Sequence, residues 1–116
     1  MTAYAVARLR KAPVHVEVLT YLERIQGTLD PFGGRFLVHG GPVDVREGSW
    51  AGDVIIIEFP DMMAVRSWYE SSAYQEIKPL RTRHLDGDVI FVEGVGRDHD
   101  SAGMAASLRQ TLDAQS

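Results

Sequence analysis

The sequence predicts an α+β fold: a four-stranded antiparallel sheet with helices on one face, in the order β-α-β-β-α-β. Three observations carry this expectation. Short apolar runs at residues 3–9, 35–38, 54–59 and 89–92 have the length and content of strands. Between the first and second runs, and between the third and fourth, apolar residues recur at three- and four-residue steps, the spacing of one helix face. Only a polar stretch separates the second run from the third, so those two read as a hairpin.

Ala3 to Leu9 is short, apolar and bounded by Arg10-Lys11, which suits the first strand. Ala12-Pro13 then opens a helix, with proline at a first-turn position where its missing N–H costs little. Val14, Val18, Tyr21, Leu22, Ile25 and Leu29 give it one apolar face. Asp30-Pro31-Phe32-Gly33-Gly34 ends it, since proline cannot continue a helix and glycine permits the turn. Arg35 to Val38 is the second strand, bent by Gly40-Gly41-Pro42 and continued by the alternating Val43-Asp44-Val45-Arg46. Residues 47–52 turn the chain. Val54 to Phe59 follows as a nearly continuous apolar run, which implies a central strand buried on both faces.

Asp61 is placed to cap the second helix, whose buried face is Met62, Val65, Trp68 and Tyr69. Ser71-Ser72 interrupts it, and residues 73–85 form a second helical piece that bends at Pro79. Asp86-Gly87 is a turn, and Val89 to Val92 is the fourth strand. This is the split βαβ, ferredoxin-like arrangement. It occupies residues 1–95. Residues 96–116 are a charged linker and a short helix, capped near Ser101 with Met104, Leu108 and Leu112 along one side. That helix is expected to be ordered and docked on this subunit or on a partner.

Composition excludes several functions. A chain of 116 residues, 45% hydrophobic and 24% charged, fits one domain with a modest core. The net charge of -4, with basic residues scattered, argues against nucleic acid or an anionic membrane as partner. No cysteine is present, so disulfides, thiol chemistry and zinc–thiolate sites are excluded. The N-terminus lacks the pattern of a signal peptide and no run reaches membrane-spanning length, so a cytoplasmic protein is expected. His15, His39, His84 and His99 lie far apart, without the short spacing of a metal site. No cofactor and no metal are expected.

Four segments agree in order and spacing with a known family. They are Phe32-Gly-Gly-Arg-Phe-Leu-Val-His-Gly-Gly41, Glu47-Gly48-x-Trp50, Val54-Ile-Ile-Ile-Glu58-Phe-Pro60 and Trp68-Tyr69-x-Ser71-x-x-Tyr74. In these the chain resembles the family catalogued as domain of unknown function 1330, from about Tyr4 to Val95. His39 departs from the arginine expected at its position. The resemblance implies membership of the dimeric α/β-barrel superfamily: a homodimer packed sheet against sheet, with a cavity beside each sheet. It implies no particular reaction. A physical argument points the same way, because helices on one face leave the other face of the sheet bare, and a self-complementary two-fold contact would cover it.

The candidate site lies in the hairpin. Glu58 is a carboxylate within an apolar strand, which is costly unless it is paired or used. It suits either a general base or a structural ion pair with Arg35. Arg35 and His39 have one strand parity, so both are read as facing Glu58. There Arg35 could clamp an anion and His39 could move protons. Trp50 sits in a polar turn, where it either caps a pocket or joins the dimer contact. Tyr69 and Tyr74 carry hydroxyls that reach a pocket unless they serve only in packing. The ligand-binding candidates are thus Arg35, His39, Trp50, Glu58, Tyr69 and Tyr74, with Glu58 and His39 as the catalytic candidates. Three readings follow: a homodimer binding a small anionic or aromatic molecule, a cofactor-independent monooxygenase- or isomerase-like enzyme, and an interaction module without ligand.

Overall fold

The computed structural model describes residues 1–115. Its strands are β1 (Ala3–Leu9), β2 (Arg35–His39), β3 (Asp53–Phe59) and β4 (Gly87–Glu93), and its helices are α1 (Val16–Leu29), α2 (Met62–Glu70), α3 (Ser72–Thr82) and α4 (Ser101–Gln115). They form one antiparallel sheet in the order β2-β3-β1-β4. The fold is ferredoxin-like, and β3 is an interior strand as its apolar content predicts.

Pleat decides which residues meet the helices. Ala3 and Ala5 of β1 and Ile57 and Phe59 of β3 are buried on the helix side. They pack on Tyr21, Ile25 and Leu29 of α1, Val65 and Trp68 of α2, and Tyr74 and Ile77 of α3. Burying each large apolar side chain contributes about 1.5–3 kcal/mol. Tyr21, Ile25, Thr28 and Leu29 fall at i, i+4, i+7 and i+8, so one stripe of α1 carries its whole contribution. Thr28 lies on that stripe because its hydroxyl donates to the Ile25 carbonyl (2.7 Å) and accepts from Trp68 Nε1 (3.0 Å). That chain ties α2 to α1 with no polar group left unpaired. Gly34 makes the turn into β2 possible: a Cβ there would come within 2.8 Å of both the Leu29 and Phe59 side chains.

The helix stops follow local chemistry. Asp61 accepts from the Ala64 N–H (2.8 Å) and Ser71 accepts from the Tyr74 N–H (3.3 Å), so each helix after β3 has its own N-cap. α3 continues through Pro79 and ends at Thr82. Two boundaries differ from expectation. α1 begins at Val16 instead of at Ala12-Pro13, because His15 is its N-cap, with Nδ1 accepting from the Glu17 N–H (3.0 Å). Val14 therefore lies outside the helix and is exposed.

Val43-Asp44-Val45-Arg46 does not continue β2. Gly40 takes φ +73 and its N–H closes the ladder on the Val54 carbonyl (2.9 Å), after which Pro42 has no donor to offer. An alternating pattern becomes a strand only where a partner edge receives it, and residues 41–52 have none. The C-terminal helix forms, started by Asp100, whose carboxylate accepts from the Ala102 N–H (2.8 Å). Every described residue of α4 is exposed, so it does not dock on its own subunit.

Candidate functional site

The face of the sheet away from the helices carries Tyr4, Val6, Val38, Val54, Ile56, Ile90 and Val92, with the Arg35–Glu58 pair at one edge. Arg35 and Glu58 are directly opposed in register, and Arg35 Nη2 donates to Glu58 Oε1 at 3.3 Å. Their side chains are 70% and 33% exposed, so the pair is solvated and contributes at most about 1 kcal/mol. Of the two roles open to Glu58, the geometry supports the ion pair.

His39 does not join them. The register slips between Phe36 and Val38, so Leu37 is an extra residue in β2. Val38 then opposes Ile56 and His39 opposes Ile55, on the helix side of the sheet. A one-residue bulge flips every later side chain to the other face. The His39 ring stacks on Phe36, with centroids 4.1 Å apart and planes 3° from parallel. Burial lowers its pKa, which favours the neutral imidazole.

On that side lies a cavity of about 540 Å³ between the sheet and α1. Its walls are apolar: Ala7 and Ile55 from the sheet, Val18 and Leu22 from α1, Phe36, and Leu85 beyond α3. His39, Lys11 and Gly40 stand at the open end, where Lys11 Nζ lies 3.9 Å from Asp53 Oδ1. At the closed end are Trp68, Tyr21, Tyr74 and Arg81. The Tyr21 and Tyr74 hydroxyls are 2.9 Å apart, and Arg81 Nη2 donates to Tyr74 Oη at 3.4 Å. The Arg81 guanidinium also sits 5.6 Å from the centre of the Tyr21 ring. Burial, reinforced by Tyr74, pushes the Tyr21 hydroxyl far up its titration range, so it stays protonated at neutral pH.

The predicted residues therefore separate. His39 and Tyr74 line this cavity, while Arg35 and Glu58 lie on the opposite face. Trp50 is outside as well: it is exposed in the 41–52 loop, with the Arg8 guanidinium 5.5 Å from its ring, and borders a shallow groove beside Lys11 and Val43. Tyr69 packs against Trp68, Tyr74 and Phe91, under the Lys78 ammonium. Tyr21 and Arg81 were not among the predicted site residues. The signal was available for Arg81, because Tyr74, Ile77 and Arg81 share one helical stripe at i, i+3 and i+7 and all are buried.

A second cluster joins residues distant in sequence. Among the described residues His15, Glu17 and His84 bring ligand-type atoms within 4.8 Å of one another. The Glu17 carboxylate is held by His84 Nε2 (2.8 Å) and Arg83 Nη1 (2.9 Å), and the His15 and His84 rings stack 3.6 Å apart. Those bonds to His84 and Arg83 lower the Glu17 pKa. Beside an arginine and at a helix N-terminus, a metal cation is disfavoured. The cluster is a clasp between α1 and the end of α3.

These shifts act in different pH windows. His39 has its pKa lowered on folding, so the unfolded chain binds its proton more readily. Stability from neutral His39 is complete above the unfolded value of about 6.5 and is lost as pH falls below it. The Glu17 contribution is present above its ordinary value of 4.5 and is lost as pH falls further. His39→Gln is expected to flatten the fall in urea midpoint between about pH 7 and pH 5 while leaving the steeper fall below about pH 4.5. An unchanged slope between about pH 7 and pH 5 would show that His39 titrates normally.

A ferredoxin-like fold holding a half-open apolar cavity between sheet and helices defines the class. Within it, the family described as domain of unknown function DUF1330 matches residues 2–95, and the chain belongs to that family. No curated protein sequence matches significantly. Among solved structures, a protein of unknown function from Rhodopseudomonas palustris has a TM-score of 0.62 at 16% identity, covering 82% of this chain and 83% of its own. SnoaB, a cofactor-independent oxygenase from Streptomyces nogalater, has a TM-score of 0.58 at 13% identity, covering 85% and 98%. A dimeric ferredoxin-like protein of unknown function from Jannaschia sp. CCS1 has a TM-score of 0.57 at 11% identity, covering 81% and 100%. At these identities the likeness is one of fold.

Proposed function

We propose that this protein is a homodimer that binds a small, largely apolar molecule in the cavity between its sheet and α1. The observation that carries the reading is the cavity itself: about 540 Å³, within one subunit, with apolar walls and a few polar groups at its two ends. Ligand sites of about 300–1,000 Å³ have this make-up. The dimer rests on the bare face, where Ile90 and Val92 are exposed. It has support from the dimeric relative of the same fold. Residues 96–116 are then an appendage to the 1–95 domain, and the α4 stripe of Met104, Leu108 and Leu112 faces the second subunit.

The cavity reading is tested with Nile red, a neutral apolar dye whose emission rises on leaving water. Saturable binding is expected, with a loss of about 100-fold in affinity in Ala7→Trp, which fills the space with an indole. Equal binding by this folded variant would place the dye elsewhere and remove the reading.

A second reading has one specific observation in its favour. His39 is held neutral at the cavity mouth, where an imidazole can accept a proton from a bound acid. The protein is then a cofactor-independent enzyme with His39 as base; SnoaB, of the same fold, is a cofactor-independent oxygenase. Glu58 has no part in that version, since it lies on the other face of the sheet.

A further inference from the structure

Resting on the cavity reading above, we infer that the ligand is an acid: a flat, apolar carboxylate whose charged end is received by Arg81 at the closed end of the cavity.

Arg81 is 7% exposed. A guanidinium keeps its charge at any ordinary pH, and taking it out of water costs several kcal/mol unless a counter-charge meets it. Arg10, Arg66, Arg97 and Arg109 are exposed to water, and Arg8, Arg24, Arg35, Arg46 and Arg83 each meet a carboxylate. Arg81 has none. Burial works against its charge, the phenols of Tyr74 and Tyr21 favour it, and the guanidinium's hydrogen bond to Tyr74 Oη is long at 3.4 Å. Its place in the last turn of α3 is favourable to a cation but supplies no acceptor for the rest of the fork.

Arg81 keeps unused donors, and it lines the cavity. Among the described residues no buried side-chain nitrogen or oxygen is both sealed from solvent and without a hydrogen bond. No hydrogen bond engages Nε or Nη1 of Arg81, so both keep some access to solvent, and Arg81 is among the residues lining the cavity. Nη1–H and the second N–H of Nη2 run parallel, so the end of the fork suits one carboxylate held bidentately. The Tyr21–Tyr74 hydroxyl pair adds a neutral donor beside it, since one of the two protons is not used in their mutual bond. The rest of the molecule must match Ile55, Leu22, Phe36 and Trp68, which are apolar or aromatic. Lys11 at the open end adds a second positive charge, partly balanced by Asp53. An acid entering that way is attracted at the mouth and neutralised at the bottom.

The test compares 2-naphthoate with its neutral analogue 2-naphthamide, by calorimetry on the full chain. Naphthoate is expected to bind the wild type about 10- to 100-fold more tightly, the worth of a buried charge-assisted contact. Arg81→Met should abolish that preference while holding the amide within about three-fold, and Arg81→Lys, which keeps the charge, should restore part of it. Side-chain NMR of the wild type gives a check that needs no variant: the Arg81 Nε–H resonance should move with naphthoate and stay still with naphthamide. Equal binding of acid and amide would overturn the inference and leave the cavity reading standing. So would an acid preference that survives Arg81→Met, or an Arg81 resonance that ignores naphthoate. Failure of both naphthyl compounds with Nile red still bound would also remove the carboxylate alone, whereas failure of all three would remove both readings.

Discussion

Trp68→Ala is expected to lower the stability of the folded subunit by about 3–5 kcal/mol, a large part of the roughly 5–15 kcal/mol that holds a domain of this size. Trp68 is buried where α2, α1 and α3 meet. Its ring lies against Phe59 (centroids 5.4 Å), Tyr74 (4.2 Å) and Tyr69 (6.0 Å), and its Nε1–H donates to Thr28 Oγ1. Alanine removes those contacts and a hydrogen bond together. The void would open into the closed end of the cavity, so the surroundings can collapse only by moving Tyr74 and Arg81. Trp68→Phe keeps most of the volume and loses the bond to Thr28, for an expected cost of about 1–2 kcal/mol. Urea denaturation of the two variants measures both. Equal costs would mean that the hydrogen bond, not the packing, dominates at this position.

Ile90→Asp is expected to weaken self-association by on the order of 100-fold or more, because it would bury an unpaired carboxylate against an apolar partner. Ile90 is 57% exposed on the bare face of β4, so the substitution has little to disturb within one subunit. Its register partner Val6 lies beside Ile56 on β3, which puts Ile90 on a continuous apolar strip. Sedimentation velocity at micromolar concentration should show a dimer for the wild type and a folded monomer for the variant. A folded wild-type monomer under those conditions would remove the dimer and leave the bare face unexplained.

Periodicity and caps made most of the fold legible in the sequence. An apolar stripe locates α1, Asp61 marks the start of α2, Ser71-Ser72 marks the break before α3, and a nearly continuous apolar run marks β3 as interior. Val43 to Arg46 departs from its pattern for a physical reason: period-two alternation records which faces a strand would have, not whether an edge is free to receive it. The site was harder. Strand parity put His39 with Arg35 and Glu58, and one extra residue at Leu37 reversed it. A bulge is set by the partner strand's register and leaves little local trace when its residue is a leucine. Arg81 escaped notice because an arginine on a helix ordinarily snorkels to solvent. Its place on the stripe of Tyr74 and Ile77 is the one local sign that it turns inward, and the packing of Tyr21 and Tyr74 around it completes the case.

The claim that matters most is that the cavity between the sheet and α1 is the binding site. Methyl-labelled protein titrated with Nile red measures it directly, because both faces of the sheet carry methyl groups. Binding in the cavity predicts shifts at Ala7, Leu22 and Ile55, which line it, with Ile56, Ile90 and Val92 on the far face unmoved. Shifts confined to Ile56, Ile90 and Val92 would place the ligand on the bare face and contradict the account.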